Sequence, residues 1–254
     1  MDLPKSKKVI RERNNKVVYD CGDTVVKVFN GTKPAADIFN EVLNLARAEQ
    51  AGIDVPELVE ASKYEGSWAI ATKKVVGKTM REIGDEDASK RGELTGRFVD
   101  LQLDIHKHTN PLIVHQKDKY TRMINAAGEI LDENARYDLL MRLDGMPNKH
   151  EICHGDFVPS NVIVREDGTC CVCDWTHTTQ GDGVADCAAS YLHFKMRGAD
   201  EFAENYVNTY CDKAGIARER VNLWLPIIAA AELSRGRAVE KDFLLAHVDV
   251  TDID

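Results

Sequence analysis

Residues 153–164 read Cys153-His154-Gly155-Asp156-Phe157-Val158-Pro159-Ser160-Asn161-Val162-Ile163-Val164, and residues 170–175 read Cys170-Cys171-Val172-Cys173-Asp174-Trp175. Apolar runs on either side of a polar stretch predict a strand, a loop carrying Asp156 and Asn161, and a second strand. Asp167-Gly168 is a turn signal, so a hairpin returns the chain and brings the carboxylate of Asp174 back towards that loop. Phosphoryl transfer from a magnesium nucleotide calls for such a set of groups. One carboxylate accepts or orients the proton of an acceptor hydroxyl, and hard oxygen donors hold the metal between phosphates. Asp156 suits the first role, and Asn161 with Asp174 suits the second.

Upstream, Val17 to Tyr19 and Thr24 to Phe29 are β-branched and apolar around Asp20-Cys21-Gly22-Asp23, the pattern of a hairpin. From Ala35 to Ala51 the apolar residues Ile38, Val42, Leu45 and Ala46 recur at helical spacing, and Gly52 stops the helix. Leu58 to Ala61 and Trp68 to Val76 read as two more strands, and Gly77 ends the second. Beyond Gly77 the pattern turns helical. Asp85 to His108 contains the pattern of a long amphipathic helix, with Leu94, Phe98, Leu101 and Ile105 on one face, and Lys117 to Leu143 predicts one helix or two with Gly128 as the break. Val184 to Met196, Glu201 to Ala214 and Arg220 to Ala246 predict further helices, and the acidic stretch from Val248 to Asp254 is expected to fray. The shift near Gly77 divides the chain into 1–76 and 77–254.

The 254 residues are 43% apolar and 30% charged, the composition of a globular chain with a sizeable core. The longest apolar candidate for a membrane span, Leu223 to Ala231, is far short of the roughly 20 residues required. The N-terminal stretch is basic without the apolar core of a secretory signal, which places the expectation in the cytoplasm. Seven cysteines, an odd number without framework spacing, agree with that compartment. Cys170, Cys171 and Cys173 lack the two-residue gap of paired zinc ligands and read as strand thiols. A net charge of −9 with no basic stripe argues against nucleic acid. Asp182, Glu201, Glu204, Glu232 and Glu240 read as a solvated helix face, the other reading being a pocket for a cationic acceptor. A metallophosphoesterase would need further D-x-H and G-N-H motifs. A dehalogenase-like phosphatase would need an aspartate two residues after its nucleophile, where Asp174 is followed by Trp175 and Thr176.

The run His154-Gly155-Asp156 with Asn161 matches each fixed position of H-G-D-x-x-x-x-N, and Asp174-Trp175 follows in an apolar strand about a dozen positions on. In these features the chain resembles the aminoglycoside phosphotransferase and choline kinase superfamily, which shares the protein-kinase fold; the likeness runs from about Arg13 to Phe194. It implies that Asp156 is the catalytic base, that Asn161 and Asp174 are magnesium ligands, and that His154 organises the loop. Lys27 lies inside Val25-Val26-Lys27-Val28-Phe29. On position alone it is a solvent-facing residue of a half-buried strand; by resemblance it contacts the nucleotide's phosphates and pairs with a helix glutamate, Glu41, with Glu49 the weaker substitute. Trp68 to Thr79 resembles the strand and hinge of the family, whose backbone near Lys73 and Val75 would hold adenine. Leu101 to His106 resembles a helix end that closes on histidine, and Asp186 resembles the carboxylate that anchors the catalytic loop. One departure is plain: no Gly-rich loop precedes Lys27, and Asn14-Asn15-Lys16 stands in its place.

The resemblance implies an α+β, two-lobed protein-kinase-like fold, with a small antiparallel-sheet N-terminal lobe (1–76) that binds nucleotide and a mainly helical C-terminal lobe (77–254) for catalysis and acceptor binding. It implies Mg2+, ATP or GTP as phosphoryl donor, and a small hydroxyl-bearing acceptor of the aminoglycoside kind. Choline, an amino alcohol or a sugar is the alternative acceptor, and a catalytically silent nucleotide-binding module the alternative of another class. No nucleic-acid or membrane partner is expected.

Overall fold

In Thr24-Val25-Val26-Lys27-Val28-Phe29 successive side chains point to opposite faces of a strand, so one face receives Val26 and the other Lys27 and Phe29. The computed structural model of the chain describes residues 1–248 and builds its first sheet on that alternation. Strands β1 (Lys8–Arg13), β2 (Lys16–Asp20) and β3 (Thr24–Phe29) lead into helix α1 (Ala35–Gln50), followed by β4 (Leu58–Tyr64) and β5 (Ser67–Lys73). The strand order is β1-β2-β3-β5-β4, every pair antiparallel. On one face Val26 packs with Ala69 and Ala71; on the other, Phe29 and Ile70 meet Ile38 of α1. Strand β1 lies outside the sequence expectation. It is an edge strand whose six residues are all exposed, so it carries no alternation for a pattern to detect.

Next come β6 (Lys78–Thr79), α2 (Met80–Glu86), α3 (Arg91–Ile105), α4 (Gln116–Ala126) and α5 (Glu133–Gly145). The central β segment is β7 (Glu151–Cys153), β8 (Val162–Val164), β9 (Cys170–Val172) and β10 (Thr179–Gly181). Helices α6 (Gly183–Met196), α7 (Asp200–Ala214), α8 (Arg218–Asn222), α9 (Leu225–Leu233) and α10 (Lys241–Val248) complete the described residues. The fraying expected at the C-terminus falls on residues 249–254, outside the described residues.

The long amphipathic helix expected within Asp85 to His108 is α3, with Leu94, Phe98 and Ile105 buried. Thr79 and Glu82 form a capping box that starts α2 at Met80, an S/T-x-x-E signal legible in the sequence, and α3 begins at Arg91. The helix expected over Arg220 to Ala246 is three, because Pro226 sits in the first turn of α9 and Gly236 follows that helix at a positive φ of 63°. The strand expected to reach Val76 ends at Lys73.

The chain folds as two compact units, Met1–Ala88 with Val158–His177, and Ser89–Phe157 with the chain from Thr178 onward. These run differently from the division at Gly77, because β6 pairs with β8 and the β8–β9 hairpin folds with the first sheet's unit. Gly77 permits that pairing: a Cβ there would overlap the carbonyl of Val164 and press on Ile163 Cγ2 at 2.9 Å. Gly77→Ala should therefore destabilise the protein by about 1–3 kcal/mol, seen as a lower urea midpoint at unchanged slope; a wild-type midpoint would refute the close approach. The second unit is mainly helical, with Phe98 stacked on Phe157 at 4.3 Å and Tyr206 and Phe194 around them. The fold is α+β and kinase-like, a small antiparallel-sheet lobe with a helical lobe. Among the described residues no helix is long and apolar enough to cross a membrane.

Candidate active site

Register places the lysines. Val18 pairs with Lys27 and Lys16 with Phe29, so Lys16, Val18 and Lys27 share the face of the sheet that α1 covers. Glu41 projects from α1 into that face and is 4% exposed. Lys27 Nζ lies 2.7 Å from Glu41 Oε1 and 2.9 Å from Asp174 Oδ1, while Lys33 Nζ takes the other oxygen of Glu41 at 2.9 Å. The bland account of Lys27, a lysine facing solvent, is thereby excluded. Glu49, the weaker candidate for its partner, is exposed near the end of α1. Burial works against charge on Lys27, but Asp174 and Glu41 outweigh it and raise the lysine's pKa above its ordinary value. Burial likewise works against charge on Glu41, and the positive charge of Lys27 overcomes it, holding the carboxyl low.

Asp174 follows β9 at a φ of 67°, a left-handed conformation that aspartate tolerates better than most side chains. Its carboxylate also accepts from Thr176 Oγ1 at 2.8 Å and Lys16 Nζ at 3.3 Å. Burial raises its pKa, but Lys27 and Lys16 dominate and hold it well below the usual range. The amide of Cys173 donates to the carbonyl of Asn161 at 2.8 Å, which sets Asn161 alongside the residue preceding Asp174. Asn161 and Asp174 thus supply a carboxamide and a carboxylate oxygen. That donor set fits magnesium, which takes one or two protein oxygens and completes its shell with phosphates and water.

The hinge residues differ from each other. The Lys73 amide donates to Glu57's carbonyl at 2.8 Å, and its side chain is exposed and paired with Glu57. Val75 follows the strand, part-buried, and its backbone groups make no hydrogen bond among the described residues.

In the helical unit, β7 runs into His154-Gly155-Asp156, and Asp186 of α6, 2% exposed, gathers the loop. Asp186 accepts from the amides of His154 (3.1 Å) and Gly155 (2.7 Å), from His106 Nε2 (3.2 Å) and from Gln102 Nε2 (3.3 Å). Gly155 adopts a φ of 78°, and the Asp156 amide donates to His154 Nδ1 at 3.2 Å. His106 is held in turn by Tyr210 at 3.3 Å. His193 of α6 lies within electrostatic reach of Asp156; burial holds its pKa low against the pull of that carboxylate.

Of the residues singled out in the sequence, Lys27, Glu41 and Asp174 are in contact, and Asn161 stands beside the strand end that bears Asp174. Asp156 belongs to the other unit, five residues before Asn161 in the chain. Lys16, Lys33 and Thr176 were not singled out for the site. The signal for Lys16 was its two-residue spacing from Val18 on a strand, readable only once the register with Lys27 is known. The solvated acidic face is corrected too. Asp182 is buried against Lys149, Arg220 and Trp224; Glu240 is buried against Arg237; Glu204 and Glu232 pair with Arg218 and Arg235. Glu201 is exposed, and so is nearly half of the Glu204 side chain.

One unit thus ties a strand lysine to a helix glutamate and a hairpin aspartate, and the other anchors an HGD loop through its amides. Residues 10–224 match the model of the phosphotransferase enzyme family (APH), and the chain belongs to that family. Its fold is similar to that of a thermostable mutant of aminoglycoside phosphotransferase APH(4)-Ia, with a TM-score of 0.67 and 13% identity, covering 96% of this chain and 94% of that one. A choline/ethanolamine kinase family protein from Mesorhizobium loti gives a TM-score of 0.62 at 15% identity, over 96% of this chain and 84% of that one. Choline kinase LicA from Streptococcus pneumoniae gives 0.61 at 16% identity, over 96% and 90%. No curated protein matches the sequence.

Proposed function

We propose that the protein is a cytoplasmic, magnesium-dependent kinase that moves the γ-phosphoryl group of ATP or GTP to a hydroxyl of an aminoglycoside-like or other small acceptor, with choline, an amino alcohol or a sugar as the alternative. The observation that carries this is Lys27, held between Glu41 at 2.7 Å and Asp174 at 2.9 Å: a part-buried cation fixed by two carboxylates is positioned for polyphosphate. The solved ternary complex of a thermostable APH(4)-Ia mutant with ADP and hygromycin B, and the complex of LicA with AMP, support a nucleotide site in this fold.

Lys27 contacts the phosphates, and Glu41 fixes its ammonium. Backbone groups at the end of β5, those of Val75 foremost, take the adenine; the Lys73 amide is already committed to Glu57. Asn161 and Asp174 would hold magnesium, which when bound offsets charge on the phosphoryl oxygens. Asp156 orients the acceptor hydroxyl and takes its proton as the new oxygen–phosphorus bond forms and the bond to the β-phosphate breaks, releasing ADP. Positioning and electrostatics supply the rate.

Thermal unfolding tests the nucleotide site. Saturation to about 100 times the dissociation constant adds roughly 2.7 kcal/mol, which should raise Tm by about 5–10 °C in a chain of this size. The rise should vanish in EDTA and in Asp174→Ala. No shift with millimolar nucleotide would sink the reading, and ADP release across aminoglycosides, choline and sugars then identifies the acceptor.

A further inference from the structure

Kinase-like sites cover the nucleotide's phosphates with amides of a glycine-rich β-hairpin. In this chain the corresponding β1–β2 hairpin turns at Asn14-Asn15, with no glycine, and Arg13 pairs with Lys16 across the turn. Lys16 opens β2 as the diagonal neighbour of Lys27, on the same face. Its side chain is 15% exposed, and its Nζ reaches Asp174 Oδ2 at 3.3 Å while Lys27 holds Oδ1 at 2.9 Å.

The charges around this point do not balance. Three ammoniums, of Lys16, Lys27 and Lys33, face two carboxylates, of Glu41 and Asp174. Lys33 is committed to Glu41 and to the ring of Phe29 at 4.5 Å, and Lys27 is shared between both carboxylates. Among the described residues the ion pair of Lys16 is with Asp174 alone, a carboxylate Lys27 already occupies. A part-buried cation in that position is best matched by a second anion, and the ligand of the site is a polyphosphate.

We propose that Lys16 is a second phosphate-binding lysine, doing with one ammonium what a glycine-rich hairpin does with backbone amides. The inference rests on the nucleotide-site reading above and adds a residue to it. Lys16 exchanges Asp174 for phosphate oxygens when nucleotide enters, so its charge stays matched in both states. A lysine suits this exchange because its ammonium is a point charge on a flexible stem.

Equilibrium binding of ATP and of adenosine to the full chain tests this, with magnesium and in EDTA, for wild type, Lys16→Ala, Lys16→Gln and Lys16→Arg. Loss of one charge-assisted hydrogen bond predicts ATP binding roughly 10- to 100-fold weaker in Lys16→Ala and Lys16→Gln. Adenosine binding should be unchanged, and Lys16→Arg should restore most of the ATP affinity. Wild-type ATP affinity in Lys16→Gln would overturn the proposal and leave the nucleotide site standing. Equal loss of ATP and adenosine binding would also overturn it, since Lys16 would then hold up the site as a whole and not the phosphates. Failure of the wild type to bind either ligand would sink the nucleotide-site reading itself. Should Lys16→Ala not fold, the glutamine and arginine pair carries the same comparison, separating charge from length.

Discussion

Asp156→Asn is expected to lower turnover about 10³-fold, the usual contribution of a positioned general base, while nucleotide still raises the unfolding temperature. The two effects separate because three bonds that hold the loop do not use the carboxylate that would do the chemistry. Asp186 takes the amides of His154 and Gly155, and the Asp156 amide goes to His154 Nδ1 at 3.2 Å; asparagine keeps all three bonds. What it loses is the ability to accept the hydroxyl proton. The measurement is ADP release with saturating nucleotide and acceptor, beside thermal unfolding with MgATP. Undiminished turnover in the asparagine variant would remove Asp156 from catalysis.

Asp186→Ala should produce the largest loss of stability. It strands two backbone amides, His106 Nε2 and Gln102 Nε2 in the interior of the helical unit. Removing one partner of a buried ionic network costs about 3–5 kcal/mol, a fall in Tm on the order of 10 °C. The pH dependence has a definite sign. Burial would raise the pKa of Asp186, but the hydrogen bond from His106, the electrostatic pull of His106 and His154, and the amide of Gly155 outweigh it, so the folded value lies below the ordinary 3.8. Its contribution is therefore fully present above that value and is lost as the pH falls through the folded one. Urea midpoints of wild type and Asp186→Asn, followed down through the carboxylate range, check this. The wild type should lose more stability on acidification, and parallel curves would show that the carboxylate's charge is not what anchors the loop.

Much of the site is local in the chain, and local features are legible. The tight turn at Asp167-Gly168 sets Asn161 and Asp174 at neighbouring ends of one hairpin, whatever surrounds them. Lys27 was visible as a charge inside an apolar strand, and α1 as a helical period. The edge strand β1 was not legible because pattern reading needs one face to be buried.

Other assignments depended on contacts between residues far apart in the chain. Lys27 meets Asp174 across 147 positions and Lys16 meets it across 158, and neither separation is encoded in any local spacing. In one dimension Glu41 and its weaker substitute Glu49 are both helix glutamates. The strand order β1-β2-β3-β5-β4 and the packing of Ile38 against Phe29 turn Glu41 inward and leave Glu49 in solvent. Spacing along the chain therefore sufficed to bring Asn161 beside the hairpin end that bears Asp174, since one tight turn joins the two strands. The ion network around Lys27 had to wait for the packed sheet and helix, because register and burial choose which charges meet.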